Sequence, residues 1–212
     1  MKRRLINCLL AGLAGSVLAI SLSAAWAADE APDAMIKRQS TEVLDTIKGD
    51  KAIQAGDQAR VIALVDSKIM PNVNFARMTA SAVGPGWRSA TPEQQKRLQD
   101  EFKTLLVRTY AGALAQVSDQ VIVVKPLRGS AEDAEVLVRT EVKGRGDPIQ
   151  LDYRLEKTPG QGTGWKIYNL NVLGVWLVET YRSQFAQEIN AKGIDGLIGA
   201  LAERNKANAK KG

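Results

Sequence analysis

The sequence has no histidine, and its single cysteine is Cys8. Without histidine the chain lacks the commonest general base and the commonest metal ligand, so Ser-His-Asp and Cys-His catalysis are excluded. One cysteine near the N-terminus leaves no internal disulfide and no cysteine zinc site for the rest of the chain. Aromatic residues are scarce, at 5%. Charge of one sign is scarce as well. The formal net charge is +6, and the segment 1–27 holds Lys2, Arg3 and Arg4 but no acid, so the remainder carries only +3. That is too mild for a nucleic-acid binder, and no aromatic-basic interleaving of the single-strand type is present. A modest positive surface still suits anionic membranes or acidic partners.

Long apolar runs are confined to residues 5–22. Lys2, Arg3 and Arg4 precede this run, and Ala25-Trp26-Ala27 follows it as an A-x-A site, which predicts an export signal cleaved after Ala27. A retained anchor is the alternative, because the run approaches bilayer-spanning length. Its small residues and the cleavage site argue against that, and Cys8 lies too early for a lipid-modified cysteine. The expected organisation is a signal at 1–27, one domain at 28–204, and a basic flexible tail at 205–212 carrying Lys206, Lys210 and Lys211. About 180 residues suffice for a core without staples.

The domain opens in helical grammar. Met35, Ile36, Val43, Leu44 and Ile47 share one face up to Gly49, and Val61, Ile62, Leu64, Val65 and Ile69 continue until Pro71. Asn74 can cap a short helix carrying Phe75, Met78 and Val83, which Gly84-Pro85-Gly86 breaks. Thr91-Pro92-Glu93-Gln94 is a helix start with capping-box spacing. The helix it opens should run to about Val117, with Leu98, Phe102, Leu105, Leu106, Tyr110, Ala113, Leu114 and Val117 in a wide apolar stripe. Periodicity does not decide whether such a stripe packs on a sheet or lines a ligand cavity.

From Gln120 the period changes to two. Val121 to Val124, then Val136, Val138, Thr140 and Val142, then Ile149, Leu151, Tyr153 and Leu155 alternate with polar residues, giving one wet and one apolar face. A fourth strand, from Trp165 to Val172, passes near Gly174 into a helix carrying Val175, Val178, Tyr181 and Phe185. Lys192-Gly193 ends that helix in C-cap style, and a short helix follows with Ile194, Leu197, Ile198 and Leu201. Turn-rich connections predict an antiparallel meander of four strands. Helices before and after one sheet make an α+β fold.

The order Pro71-x-x-Asn74-Phe75, Trp87-Arg88-x-Ala90-Thr91-Pro92-Glu93-Gln94, Tyr110, Trp165-Lys166-Ile167-Tyr168, Gly174-Val175 and Tyr181-Arg182-Ser183-Gln184-Phe185 resembles the MlaC family, also called toluene-tolerance proteins. The likeness covers nearly all of the chain beyond residue 27. Asn74 and Asn169 stand where that family often has Asp, and Trp176 where a small residue is common. The resemblance implies a periplasmic carrier that takes phospholipid between an outer-membrane lipoprotein complex and an inner-membrane ABC transporter complex. It implies no cofactor and no metal, with bound phospholipid as cargo. Carriage requires shielding, so the resemblance also implies that the sheet is curved and, with the helices, encloses an apolar pocket: two chains of about fifteen carbons exposed to water cost on the order of 20 kcal/mol at ~0.8 kcal/mol per methylene.

On that reading the candidate lipid-binding residues are Phe75, Trp87, Phe102, Leu106, Tyr110, Val138, Leu151, Tyr153, Ile167, Val172, Trp176 and Tyr181. For each one singly, core packing accounts for the residue as well as lipid contact does. Arg88 and Arg182 are candidates for a head-group or partner contact, since guanidinium suits phosphate. An enzyme acting on a hydrophobic substrate is a competing class, but Asp152 and Tyr153 are adjacent on a strand and point to opposite faces, with Asp152 read as solvent-facing. A periplasmic chaperone or adaptor for apolar peptides would use the same wall. No face reads as an oligomer seam, which makes a monomer the expectation.

Overall fold

The computed structural model describes residues 30–130 and 132–209, so the expected signal segment and its cleavage site lie outside the described residues. Helix α1 (Pro32–Gly49) begins with Pro32 in its first turn, and α2 (Lys51–Gln54) and α3 (Gln58–Leu64) are capped by the carboxylates of Asp50 and Asp57. A π turn (Val65–Ile69) and a 3-10 turn (Met70–Asn72) lead to α4 (Phe75–Val83), where the Asn74 side chain accepts from the Arg77 N–H. After a 3-10 turn at Gly84–Arg88, α5 (Pro92–Ala115) starts on the expected capping box: the Thr91 hydroxyl accepts from Gln94 N–H, and the Gln94 side chain accepts from Thr91 N–H.

Strands β1 (Val121–Val124), β2 (Glu135–Lys143), β3 (Ile149–Lys157), β4 (Trp165–Val172) and β5 (Val175–Trp176) form one antiparallel sheet in sequential order, with β1 and β5 as its open edges. This is one strand more than expected. The residues just after Gly174 fold back on β4 as a two-residue strand, and α6 (Leu177–Ala209) begins only at Leu177. Gly193, at φ 71° and ψ −170°, kinks α6 where the sequence places a helix stop.

The expected tail is not frayed at its start. The helix runs on to Ala209, and Asn205 is buried at 3% exposure. Its amide donates to the carbonyl and the carboxylate of Glu101 at 2.9 and 2.8 Å, while Arg108 donates to its carbonyl. A polar residue here fastens α6 to α5.

The register between β3 and β4 slips at Arg154/Leu155. Such a bulge bends the sheet and reverses side-chain parity beyond it. Ile167 pairs with Leu155, yet Leu170 pairs with Tyr153 and Val172 with Leu151, so odd and even positions of β4 serve the same inner face.

Three apolar clusters surround that face. Met35 and Ile36 of α1 pack on Val138, Leu155 and Trp165 of the sheet. Ile47, Ile53, Val61 and Leu64 pack on Val107 and Ala111 of α5. Phe75, Phe102, Tyr181 and Phe185 join α4, α5 and α6. Among the described residues no helix is long and apolar enough to cross a membrane.

Candidate functional site

Between the three clusters lies a cavity of about 360 Å³. Its helical wall is a single stripe of α5, Lys103, Leu106, Val107, Tyr110, Ala113 and Leu114, continued by Val117 just past the end of the helix. These positions recur at three- and four-residue intervals, which places them on one side of the helix. At ~1.5 Å per residue the helical part of the stripe, Lys103 to Leu114, runs about 17 Å, compared with about 15 Å for the hydrocarbon depth of one bilayer leaflet. Val43, Leu44 and Ile47 of α1 and Val65, Ile69 and Met70 of the turns supply a second wall, and the inner face of the sheet a third.

Exposure along β3 sets the direction of the cavity. Ile149 is 42% exposed, Leu151 half-buried, Tyr153 8% exposed and Leu155 fully buried. The mouth is therefore at the Ile149 end and the floor at Tyr153. The sheet side of the mouth is a ladder of apolar residues, Ile122, Val142, Ile149, Val172 and Val175, drawn from all five strands. Leu173, in the turn beside it, is 64% exposed and sits at φ 53°, a left-handed conformation that a leucine rarely adopts.

The wall carries few polar groups: Gln39, Ser40, Lys103 and the hydroxyls of Tyr110 and Tyr153. The Lys103 ammonium is committed to Asp66 Oδ1 at 2.8 Å. Burial pushes the Tyr153 hydroxyl up to about 12, although it lies 3.4 Å from Ser40 Oγ. Burial, with a smaller effect from Tyr181, also raises Tyr110. Chemically, the site solvates apolar chains and has no acid-base pair on its wall.

Of the twelve candidates, Phe75, Leu106, Tyr110, Leu151, Tyr153, Ile167 and Val172 stand on the cavity wall. The other five do not. Val138, 1% exposed, is sealed under Met35 and Ile36. Phe102 is fully buried at the centre of an aromatic cluster, with ring centroids 5.7 Å from Phe75, 4.9 Å from Tyr181 and 5.2 Å from Phe185. Tyr181 is likewise core. Trp87 packs beside that core in the turn before α5, and its carbonyl accepts from Gln95 Nε2 at 3.0 Å. Trp176 pairs with Asn171, which puts it on the outer face, where the Arg154 guanidinium stacks 4.0 Å from its ring.

Arg88 and Arg182 are exposed and stand off the cavity wall; Arg182 lies against Gly84. Asp152 does point away from Tyr153, but it is buried at 4% exposure, not solvated. It accepts from Thr140 N–H at 3.3 Å and from Gln150 Nε2 at 2.5 Å.

The two asparagines have local reasons. Asn74 donates to Glu156 Oε1 at 2.6 Å while capping α4. Asn169 donates to Glu179 Oε2 at 2.8 Å and accepts from the Leu170 and Val178 N–H groups. An amide can do both, whereas a carboxylate would face a second carboxylate. The outer face carries charge: Arg77 bridges Glu135 and Glu156 and stacks 3.7 Å from the Tyr168 ring, and Arg154 pairs with Glu179.

Nothing in the sequence marks the wall residues of α1 and the π turn as site residues. Their apolar periodicity was visible at Val43, Leu44, Ile47, Val65 and Ile69, but it reads equally as packing. Gln39 and Ser40 had no signal of their own.

Comparison with known proteins gives concordant matches. The profile of the family described as MlaC protein matches residues 37–203. The toluene tolerance protein Ttg2D of Pseudomonas putida is 28% identical over 189 residues, covering 85% of this chain and 86% of that protein. The intermembrane phospholipid transport system binding protein MlaC of Haemophilus influenzae is 23% identical over 173 residues, covering 81% and 80%. Among solved structures, a phospholipid-binding protein from Ralstonia solanacearum, in complex with a phospholipid, is 48% identical with a TM-score of 0.81, covering 85% of this chain and 99% of that one.

Proposed function

This chain belongs to the MlaC family, and on that premise we propose that it is a periplasmic phospholipid carrier whose cavity shields acyl chains in transit between membranes. The observation that carries the reading is the cavity itself: about 360 Å³, walled by aliphatic and aromatic side chains, and open at an apolar rim. Each methylene moved from water to such a wall is worth ~0.8 kcal/mol, so the tails supply the affinity and the head group contributes little. The lipid enters tails first, leaving its head group at the Ile149–Leu173 end. Phe75, Leu106, Tyr110, Leu151, Tyr153, Ile167 and Val172 contact the chains. Phe102, Val138 and Tyr181 hold the surrounding core in shape.

Arg88 and Arg182, exposed and away from the wall, suit a partner contact better than a head-group contact. The partners on this reading are an outer-membrane lipoprotein complex and an inner-membrane ABC transporter complex, met in turn by a monomer. No bond is made or broken, because binding and release suffice.

The test is transfer of fluorescent phospholipid between two vesicle populations separated by a membrane that passes only protein. The carrier reading predicts transfer in proportion to protein added. Lipid that stays in the donor vesicles, from protein that is folded, would overturn it and favour a chaperone or adaptor.

A further inference from the structure

Among the described residues six large apolar side chains are exposed, and three of them stand together at the cavity mouth: Ile149 at 42%, Leu173 at 64% and Val175 at 50%. A fourth, Val121 at 54%, opens β1 at the same end of the sheet. Val172 pairs with Val175 across the turn, and the Leu173 N–H, which donates to the Gln150 carbonyl at 3.0 Å, holds that turn beside the start of β3. Ile149, Leu173 and Val175 therefore form one tip. None of the three is on the cavity wall, so shielding acyl chains does not account for their exposure.

The turn that carries Leu173 has a backbone suited to other residues. Leu173 and Gly174 both have positive φ, 53° and 85°, between the paired residues Val172 and Val175. Two-residue hairpin turns of this kind favour asparagine, aspartate and glycine, which meet the backbone requirement and also suit water. A leucine does neither, and strain kept at an exposed position points to a use for the side chain. The cations at this end are already engaged. Arg145 is paired with Asp119 at 3.3 Å and Lys143 with Glu141 at 3.4 Å, and Asp147 lies in the turn between β2 and β3.

We propose that this tip inserts into the surface of a phospholipid bilayer, seating the cavity mouth on the membrane with which lipid is exchanged. The inference rests on the carrier reading and gives the mouth a partner, a lipid surface. Two features favour a bilayer over a protein. The tip holds only aliphatic side chains, whereas protein hot spots are enriched in tryptophan, tyrosine and arginine. It also adjoins the opening through which acyl chains pass, and contact between mouth and bilayer spares each methylene its passage through water. Few side chains take part, so the contact is shallow and reversible.

The chain beyond residue 27 has no cysteine, so one introduced thiol can carry a polarity-sensitive nitrobenzoxadiazole dye. The dye is placed at Val175→Cys and, as a control, at Gln161→Cys in the connection between β3 and β4, at the far end of the sheet. Both proteins are incubated with phospholipid beforehand, so that filling of the cavity adds nothing to the signal. They are then titrated with phosphatidylcholine vesicles and with vesicles of phosphatidylethanolamine and phosphatidylglycerol. The label at 175 should shift to the blue with both, at about 0.1 M and about 0.5 M salt alike, because the contact is apolar. The label at 161 should not move. Leu173→Asn suits the positive φ and should weaken vesicle binding roughly tenfold, the effect of withholding one largely exposed leucine from hydrocarbon. Ile149→Thr keeps a β-branched residue in the strand and should weaken it too.

A label at 175 that stays in water with both kinds of vesicle would overturn the proposal and leave the tip to a protein partner. So would a shift that the higher salt abolishes, or one that both substitutions leave unchanged. Phospholipid transfer between vesicles is measured on unlabelled wild type. Transfer without the shift would sink the membrane contact alone, and the shift without transfer would sink the carrier reading alone.

Discussion

Ala113 is the small residue of the α5 stripe, placed on the cavity wall between Tyr110 and Val117. Ala113→Trp puts an indole into the open space near the mouth. Lys103 lies ten residues away along the helix, so about 15 Å of the stripe falls behind the obstruction at ~1.5 Å per residue. Excluding even four methylenes from the wall forfeits roughly 3 kcal/mol at ~0.8 kcal/mol each, on the order of a hundredfold in affinity. The fold should lose little. No packed contact is removed, and the helix propensity of tryptophan relative to alanine costs only about half a kcal/mol. The assay pairs phospholipid retention after detergent-free purification with thermal unfolding. Binding within twofold of wild type, from a variant that melts normally, would refute the placement of the lipid chains along α5.

Other predictions bear on the scaffold. Thr91→Ala removes the cap of α5, which holds both the core and the cavity wall; a loss of about 1 kcal/mol, read as a fall of roughly 2–4 °C in Tm, is expected. Leu173→Gly relieves the left-handed φ of 53° and should raise stability by about 1 kcal/mol in urea unfolding; a lower midpoint would mean that the exposed leucine makes a contact worth more than the strain. Glu135 is held below the ordinary carboxylate range by hydrogen bonds from Arg77 and Tyr168. Its contribution is therefore full above about pH 4.3, the unfolded value, and is lost as pH falls through the lower folded value. Glu135→Gln should flatten the acid limb of the stability profile, and an unchanged slope would count against the pairing.

Much of the fold was legible because its signals are local. The capping box at Thr91 and Gln94, the alternation in β2 and β3, and the stop at Gly193 each depend on neighbours in sequence. The features that escaped depend on tertiary placement. The bulge opposite Arg154/Leu155 brings Ile167 and Val172 to one face, which strict alternation would not allow. Phe102 and Leu106 look alike in a helical stripe, yet one is sealed among Phe75, Tyr181 and Phe185 while the other, half-buried at the edge of that cluster, also lines the cavity. Trp176 was misplaced by one change of period, since a two-residue strand precedes the helix. Asn205 reads as tail by composition and is buried by a pair of hydrogen bonds that no local pattern announces.

Native mass spectrometry of the protein purified without detergent, followed by lipid analysis of the denatured sample, bears most directly on carriage. The account predicts a bound mass equal to that of a phospholipid in wild type, lost in a folded Leu106→Asp variant that places a carboxylate on the cavity wall. A clean ligand-free mass in wild type, with no uptake from vesicles, would contradict it.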